Sequence, residues 1–285
     1  MHVKVLLVPN YSRLEAVEGA STLADWLEGE GIEVQWAHDK KLFPDRQVDI
    51  EGVGLVVSFG GDGTLLRAAK IVGYSEIPVV GISYGHLGFL TSGGPEDLMQ
   101  IVSSALAGEM HASHRATLDI EVEFEDGEGS PHVERRFALN DLSLTHGAKG
   151  DMTVFDVSVS GHHVDRLRAD GFVVSTATGS TGYALSAGGP IVSPDYCGMV
   201  CVPVAPHTIQ ARAFLTSPSD VVEIAINPER KSERLFFADG QIIGEGLTAT
   251  RATVRRGPGD LILLDKSAQS FYESVSRVFY GRVGE

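Results

Sequence analysis

Residues 55–72 read LVVSFGGDGTLLRAAKIV, and the organisation of the chain follows from how this stretch is parsed. Leu55 to Phe59 reads as a strand, Gly60-Gly61-Asp62-Gly63 as a turn, and Thr64 to about Val72 as a helix closed by Gly73. Three glycines let a backbone approach a ligand closely and adopt positive φ. Free N–H groups at a helix start attract anions such as phosphate. Asp62 at that mouth can accept a proton from a hydroxyl nucleophile or help hold a metal ion. The competing reading is a tight glycine turn with Asp62 as a helix cap. Arg67, one turn into the helix, can reach a phosphate or simply be solvated.

The same rhythm extends on both sides. Val3 to Val8 is an apolar run interrupted only by Lys4, as in a strand buried on both faces. Ser12 with Glu15 fits a capping box. Leu14, Val17, Leu23, Ala24 and Leu27 then keep helical spacing up to Gly29 or Gly31, and Glu33 to Ala37 reads as a second strand. Ile77 to Ile82 is another strand, and Pro95 opens a helix that runs to Leu106 and stops at Gly108. The alternation predicts an α/β N-terminal domain over residues 1–114, built on a doubly wound, mostly parallel sheet. Ligands of such sheets sit at the carboxyl ends of the strands. Gly85 to Thr91, GHLGFLT, follows a strand at that edge; Phe89 there can stack on a base or serve as a core residue.

From about residue 115 the pattern becomes one of short strands. Leu118 to Phe124 alternates, residues 126–129 (DGEG) read as a turn, and further strands are expected at Val133–Leu139, Leu142–Thr145, Val154–Ser160 and Val164–Leu167. Later strands fit 200–205, 221–226, 234–238, 251–255 and 261–264, while Thr178 to Ala187 reads as helical. This predicts a β-rich, sandwich-like C-terminal domain over 115–266. The remaining segment, 267–285, has apolar residues at 271, 275, 278 and 279 and is expected to pack back on the first domain. Asn140-Asp141 offers an amide and a carboxylate that can accept from two ribose hydroxyls, or can cap a turn. Residues 168–190, RADGFVVSTATGSTGYALSAGGP, gather hydroxyls and free N–H groups that suit phosphate or ribose oxygens, with a capped Ser/Thr loop as the alternative. Asp170 in that stretch can bind a nucleobase amine or a hydroxyl.

Composition narrows the classes. The chain has 285 residues, 43% hydrophobic and 21% charged, an ordinary globular balance. Its formal charge of −15 repels nucleic acid and anionic membranes yet leaves room for a small phosphorylated ligand held by local N–H groups, arginines and a divalent ion. No apolar run reaches the ~18 residues of a membrane span. The start, MHVKVLLVPN, reads as a strand rather than a leader, and two cysteines point to a reducing cytoplasm. Cys197 and Cys201 read as buried small residues, His162-His163 as a solvated hairpin turn, and His207 as structural. A G-x-G-x-x-G after a strand, a Walker A and an H-E-x-x-H motif are all absent from the sequence, so dehydrogenase and P-loop readings lack their mark.

Taken together, GGDGTLLRAAK, GHLGFLT, NDLSLT, ADGFVVSTATGSTGYALSAGGPI, PHTIQAR and ADGQ resemble the NAD kinase family in order and spacing, over most of residues 58 to 241. GGDG is shared with diacylglycerol and sphingosine kinases and loosely with phosphofructokinases; the TGST-containing stretch is what points to NAD kinase. The resemblance implies transfer of a phosphoryl group from ATP, or polyphosphate, to the 2′-hydroxyl on the adenosine ribose of NAD. It implies Asp62 as general base, Gly63 as a close backbone approach to NAD, Arg67 as a phosphate contact and Phe89 as an adenine-stacking ring. Asn140 and Asp141 would bind ribose hydroxyls, and Arg168 and Asp170 the nicotinamide half, from the same or a neighbouring subunit. Thr178 and the run Thr181, Gly182, Tyr183, Ala184, Leu185 and Ser186 would line the adenosine pocket, with Gln241 of ADGQ also at the nucleotide. Mg²⁺ as the divalent ion, ligands undefined, a cytoplasmic setting, and a homodimer or homotetramer complete what is implied. The sequence departs from the family pattern at Asp141, where Glu is common, at Gly182, where Ala is usual, at Asp151, where a basic residue or His is frequent, and at Ala213-Phe214, where Pro-Leu is typical.

Overall fold

A computed structural model of the chain describes residues 4–43, 46–125, 131–147, 152–226 and 234–281. Asp151 and the DGEG turn at 126–129 lie outside the described residues. The elements run β1 (Lys4–Pro9), α1 (Leu14–Gly29), β2 (Glu33–Trp36), β3 (Val53–Gly60), α2 (Asp62–Val72), β4 (Val79–Ser83), α3 (Leu98–Leu106) and β5 (His111–Arg115). They continue with β6 (Leu118–Glu125), β7 (Pro131–Ala138), β8 (Asp141–His146), β9 (Thr153–Val159), β10 (His162–Ala169), β11 (Gly171–Ser175), α4 (Tyr183–Ser186) and β12 (Val200–Val204). The last are β13 (Phe214–Leu215), β14 (Val221–Ile226), β15 (Arg234–Ala238), β16 (Gln241–Ile243), β17 (Thr248–Arg256), β18 (Leu261–Asp265) and α5 (Ser270–Tyr280). Two compact units result: one takes the chain up to His114 together with everything from Leu261 onward, the other takes Arg115–Asp260.

In the first unit a six-stranded sheet has the order β2-β1-β3-β4-β18-β5, and β2, β1, β3, β4 and β18 pair in parallel. Strands β1 and β4 are buried almost throughout, because helices cover both faces of such a sheet. Helix α1 buries Ala16, Ala20, Leu23, Ala24 and Leu27, while Leu14 is exposed. Two alanines rather than Leu14 and Val17 thus carry its inner face near the start. The capping box does not form: Arg13 is the N-cap residue and makes no side-chain cap bond, and the Ser12 hydroxyl instead accepts from Lys41 Nζ at 2.8 Å. The helix expected from Pro95 begins with a 3₁₀ turn, Pro95–Asp97. Strand β18 was expected among the late strands of the β-rich region. It pairs instead with β4 through Leu263 and Val79, and the chain after it, including α5, stays with the first unit.

The second unit holds two antiparallel six-stranded sheets, ordered β10-β9-β14-β17-β6-β7 and β13-β12-β11-β8-β15-β16. Along β6, Leu118, Ile120, Val122 and Phe124 point inward and the acidic residues between them do not, the period-two pattern of a half-buried strand. One apolar core collects side chains of both sheets, with Phe155 of β9 set edge-on to Phe172 of β11 at 5.8 Å. Strand β11 is buried on both faces. Phe172 and Val174 enter that core, whereas Val173 joins a second cluster with Ala184, Val200 and Val202. The Ser/Thr-rich segment after β11 is therefore held against the outer face of its own sheet.

Candidate active site

In the first unit, the candidate residues gather where β1, β3 and β4 end. Gly61 is the N-cap of α2, no side chain caps the helix, and Asp62 is its first residue, so Asp62 is not the cap. Its carboxylate reaches across to residues 85–91. Oδ2 accepts from the Phe89 N–H at 3.0 Å and Oδ1 from the Leu90 N–H at 3.1 Å. A carboxylate has about four lone-pair positions, so acceptor capacity remains. Gly88 is required there, because a Cβ on it would fall 2.1 Å from Asp62 Oδ1. Gly61 and Gly63 differ: a Cβ on either meets nothing within 4 Å, and neither has positive φ. Folding does not require those two glycines, and their bare backbone leaves open space at the helix start.

Arg67 is neither solvated nor idle. Its guanidinium donates to Pro9 O at 3.3 Å and to His38 O, and burial pulls its pKa below the ordinary arginine value, partly offset by Tyr11 and Asp39. It lines a cavity of about 500 Å³ together with Tyr11, Ser12, Lys41, Gly63 and Thr64. Three cations, Lys40, Lys41 and Arg67, and a helix N-terminus thus face one hollow that also holds the Asp39 carboxylate, a net positive arrangement that suits a phosphate chain. Phe89 is half-buried. Its ring stacks on Phe279 of α5 with centroids 5.7 Å apart and lies 6.3 Å from Phe271. Arg277 of the same helix donates to Gly88 O at 3.3 Å. The ring read as a shelf for a base is covered by the chain's own C-terminal helix.

In the second unit the Asn140-Asp141 pair opens β8 and is bolted in place from several sides. Thr176 N–H donates to Asn140 O at 2.8 Å, Ser175 Oγ donates to the same oxygen at 3.0 Å, and Thr176 Oγ1 donates to Leu139 O at 2.6 Å. Asn140 Oδ1 is buried and has no hydrogen-bond partner. A buried acceptor without a donor costs free energy, and its presence marks a place where a donor is expected to arrive. Asp141 is buried beside it; burial, and then the charge of Asp239, push its carboxyl pKa from 3.8 up to about 7. Tyr183 is partly exposed, and burial followed by the charges of Asp141 and Asp170 pushes its hydroxyl pKa up. Asn140 and Asp141 are adjacent, and the Asp141 and Asp170 charges both act on Tyr183.

The expected helix over Thr178–Ala187 is two short pieces, a 3₁₀ turn Thr178–Thr181 and α4, separated by Gly182. Hydroxyls compete with the helix ladder: Ser180 Oγ donates to Ala177 O and accepts from the Val192 N–H, and Thr181 Oγ1 donates to Thr178 O. Ala184 is buried, Leu185 half-buried, and Gly182 and Ser186 are exposed. Arg168 is exposed on β10, and Gln241 is exposed at the start of β16. Reading the sequence missed Lys41; it gathered Ser175 and Thr176 only as part of the Ser/Thr-rich stretch 168–190, and Asp239 only as part of ADGQ, whose Asp-Gly pair also signals a hairpin turn. Cys201 is buried in the core and its thiol pKa is pushed up by burial, first, and by Asp220; Cys197 is half-buried. His162 and His163 are exposed beside the turn at Ser160-Gly161. Among the described residues no three His, Cys, Asp or Glu side chains converge as a metal cage, and no helix is long and apolar enough to cross a membrane.

Residues 35–110 match the ATP-NAD kinase N-terminal domain family and residues 139–264 the ATP-NAD kinase C-terminal domain family. Among solved structures, a yeast NADH kinase complexed with NADH superposes with a TM-score of 0.85 at 20% identity, over 99% of this chain and 89% of that one. An NAD kinase from Archaeoglobus fulgidus in complex with ATP gives 0.73 at 23% identity, over 98% of both. The two family matches define the chain as a phosphotransferase. Curated relatives sharpen this. The NAD kinase of Polaromonas naphthalenivorans is 33% identical over 98% of this chain and 97% of its own, and that of Aromatoleum aromaticum is 33% identical over 94% and 90%. The chain belongs to the NAD kinase family.

Proposed function

We propose that this enzyme transfers a phosphoryl group from ATP or polyphosphate to the 2′-hydroxyl on the adenosine ribose of NAD, giving NADP. The observation that carries the reading is the pair of acceptors at the start of β8. The partnerless Asn140 Oδ1 and the adjacent buried Asp141 carboxylate match two hydroxyls of one ribose. Tyr183, Thr178 and residues 181–186 then line the adenosine, with Arg168, Asp170 and Gln241 toward the rest of the dinucleotide. Arg67, Lys41 and the open N–H groups at the start of α2 hold the donor phosphates. Asp62 takes the proton of the 2′-hydroxyl. That oxygen forms its bond to the transferred phosphorus as the bond to the departing phosphate chain breaks. Mg²⁺ is commonly held by one or two carboxylates plus substrate phosphates rather than by a protein cage, and the Asp62 carboxylate, with acceptor capacity left beyond its bonds from Phe89 and Leu90, would supply such a ligand. When bound, the ion offsets charge on the transferred group. The enzyme works in the cytoplasm as a homo-oligomer, on small nucleotides and not on nucleic acid or membranes.

The test is incubation with NAD, Mg²⁺ and either ATP or polyphosphate, reading NADP. Asp62→Asn should still bind NAD and should lose turnover by about 10²–10⁴-fold. Normal turnover in that variant would remove Asp62 from the role of base, and no NADP from either donor with the unaltered chain would overturn the reaction.

A further inference from the structure

We propose that Asp239 is the positioning residue of the acceptor site: its carboxylate, gripped by three successive backbone N–H groups, sets the Asn140-Asp141 pair in the geometry that receives two hydroxyls. This rests on the reading of that pair given above and adds a residue that touches no substrate.

Asp239 and Gly240 form the tight turn between β15 and β16, closed by the pairing of Ala238 with Gln241. Their φ values, 46° and 73°, are the two left-handed residues of a type I′ hairpin turn, for which Asp-Gly and Asn-Gly serve equally. The turn therefore needs this backbone conformation and not the negative charge. The charge has another use. Asp239 Oδ2 accepts from the Leu139 N–H at 2.9 Å, and Oδ1 accepts from the Asn140 N–H at 2.7 Å and the Asp141 N–H at 3.2 Å. Consecutive N–H groups converging on one point make a concavity for an anion. Here the anion is supplied by the chain itself, from 98 to 100 residues away. The link is reciprocal, since the Asp239 N–H donates to Asp141 O at 3.0 Å. Every N–H from 139 to 141 is thus fixed from one side, while Thr176 and Ser175 fix the carbonyls of Leu139 and Asn140 from the other. The side chains of Asn140 and Asp141 are left without backbone slack.

The arrangement has an electrostatic cost. Two carboxylates stand side by side, and the Asp239 charge adds to burial in making Asp141 harder to ionise. Tyr183 of α4 also feels the Asp141 charge, and Asp170 between β10 and β11 acts on the same tyrosine. Asparagine would make the same turn without the repulsion, but it has one acceptor oxygen where the carboxylate uses both to hold three N–H groups.

Asp239→Asn separates the two roles, because it keeps the turn and removes the charge; Asp239→Ala is the second variant. NADP formation would be measured for KM and kcat from pH 5.5 to 8.5, with NAD binding by calorimetry, thermal unfolding, and the Asp141 carboxyl followed by ¹³C NMR. Asp239→Asn should raise the KM and Kd for NAD about tenfold, the loss expected when charge-assisted bonds become neutral ones, with kcat changed far less. The Asp141 midpoint should move down, yet remain above that of an ordinary aspartate because burial persists. An unchanged KM with an unchanged Asp141 midpoint would overturn the proposal, as would a fall in kcat alone. A variant that loses only thermal stability would show Asp239 to be a plain structural anchor. If the unaltered chain neither binds NAD nor makes NADP, the assigned reaction fails, and the Asp141 midpoint in Asp239→Asn still decides whether Asp239 governs the pair.

Discussion

Replacing Asp141 by asparagine should make the folded protein more stable at pH 8 and confer no such gain at pH 4. The carboxyl pKa is raised from 3.8 to about 7 in the fold, first by burial and then by the Asp239 charge. A raised folded-state value means that the fold favours the protonated acid. The stability this contributes is complete below the unfolded value near 4 and is lost as pH rises through about 7. Each pKa unit corresponds to ~1.4 kcal/mol, so about 4 kcal/mol is surrendered across that window. Asparagine has nearly the same shape and cannot ionise, so at high pH it should recover most of that amount, which amounts to roughly 10 °C in melting temperature for a unit of this size. Thermal and urea unfolding of both proteins at half-unit steps from pH 4 to 8, followed by circular dichroism, reads the effect directly. A stability difference that stays constant across the range, or a less stable variant at pH 8, would refute the argument. The same substitution should weaken NAD binding. The carboxylate is then kept for the ligand at the expense of the fold, a trade found where sites are strained for function.

Two further outcomes follow from the geometry. Gly179→Ala would place a Cβ 2.3 Å from the Asn140 carbonyl oxygen and 2.5 Å from Ser175 Oγ. Backbone must move, so the variant should lose about 2 kcal/mol of stability and its NAD binding together, as read by unfolding and calorimetry; intact binding would show that the start of β8 tolerates displacement. Phe279→Ala removes the ring stacked on Phe89. It should tighten NAD binding several-fold if Phe89 is the adenine shelf, and weaker binding would show that Phe279 supports Phe89 rather than covers it.

Local pattern carried the elements well. A strand buried on both faces, a glycine turn and an amphipathic helix each declare themselves within ten or fifteen residues, as in β1, β3 and α2, and the alternation along β6 declares a half-buried strand. The glycine turn pointed to Asp62 and the clustered hydroxyls to the Ser/Thr segment, whereas Asn140 and Asp141, which by themselves read equally as a turn cap, were singled out by the family resemblance.

What local pattern could not carry was partnership. Four apolar residues at Leu261–Leu264 make a strand anywhere, and only the packed sheet put them beside β4. Ser12 and Glu15 have the spacing of a capping box, but Lys41 took the hydroxyl. An Asp-Gly turn is visible in the sequence, whereas the three N–H groups that its carboxylate holds lie about a hundred residues upstream. Likewise Phe89 reads as either a base-stacking ring or a core residue until Phe279 is folded onto it. The sequence alone determined which segments fold and which chemical groups were at hand, since those depend on neighbours along the chain. Tertiary structure decided which donor meets which acceptor, because hydrogen bonds and ring contacts are settled by distance in space, and residues far apart in sequence compete for the same partner.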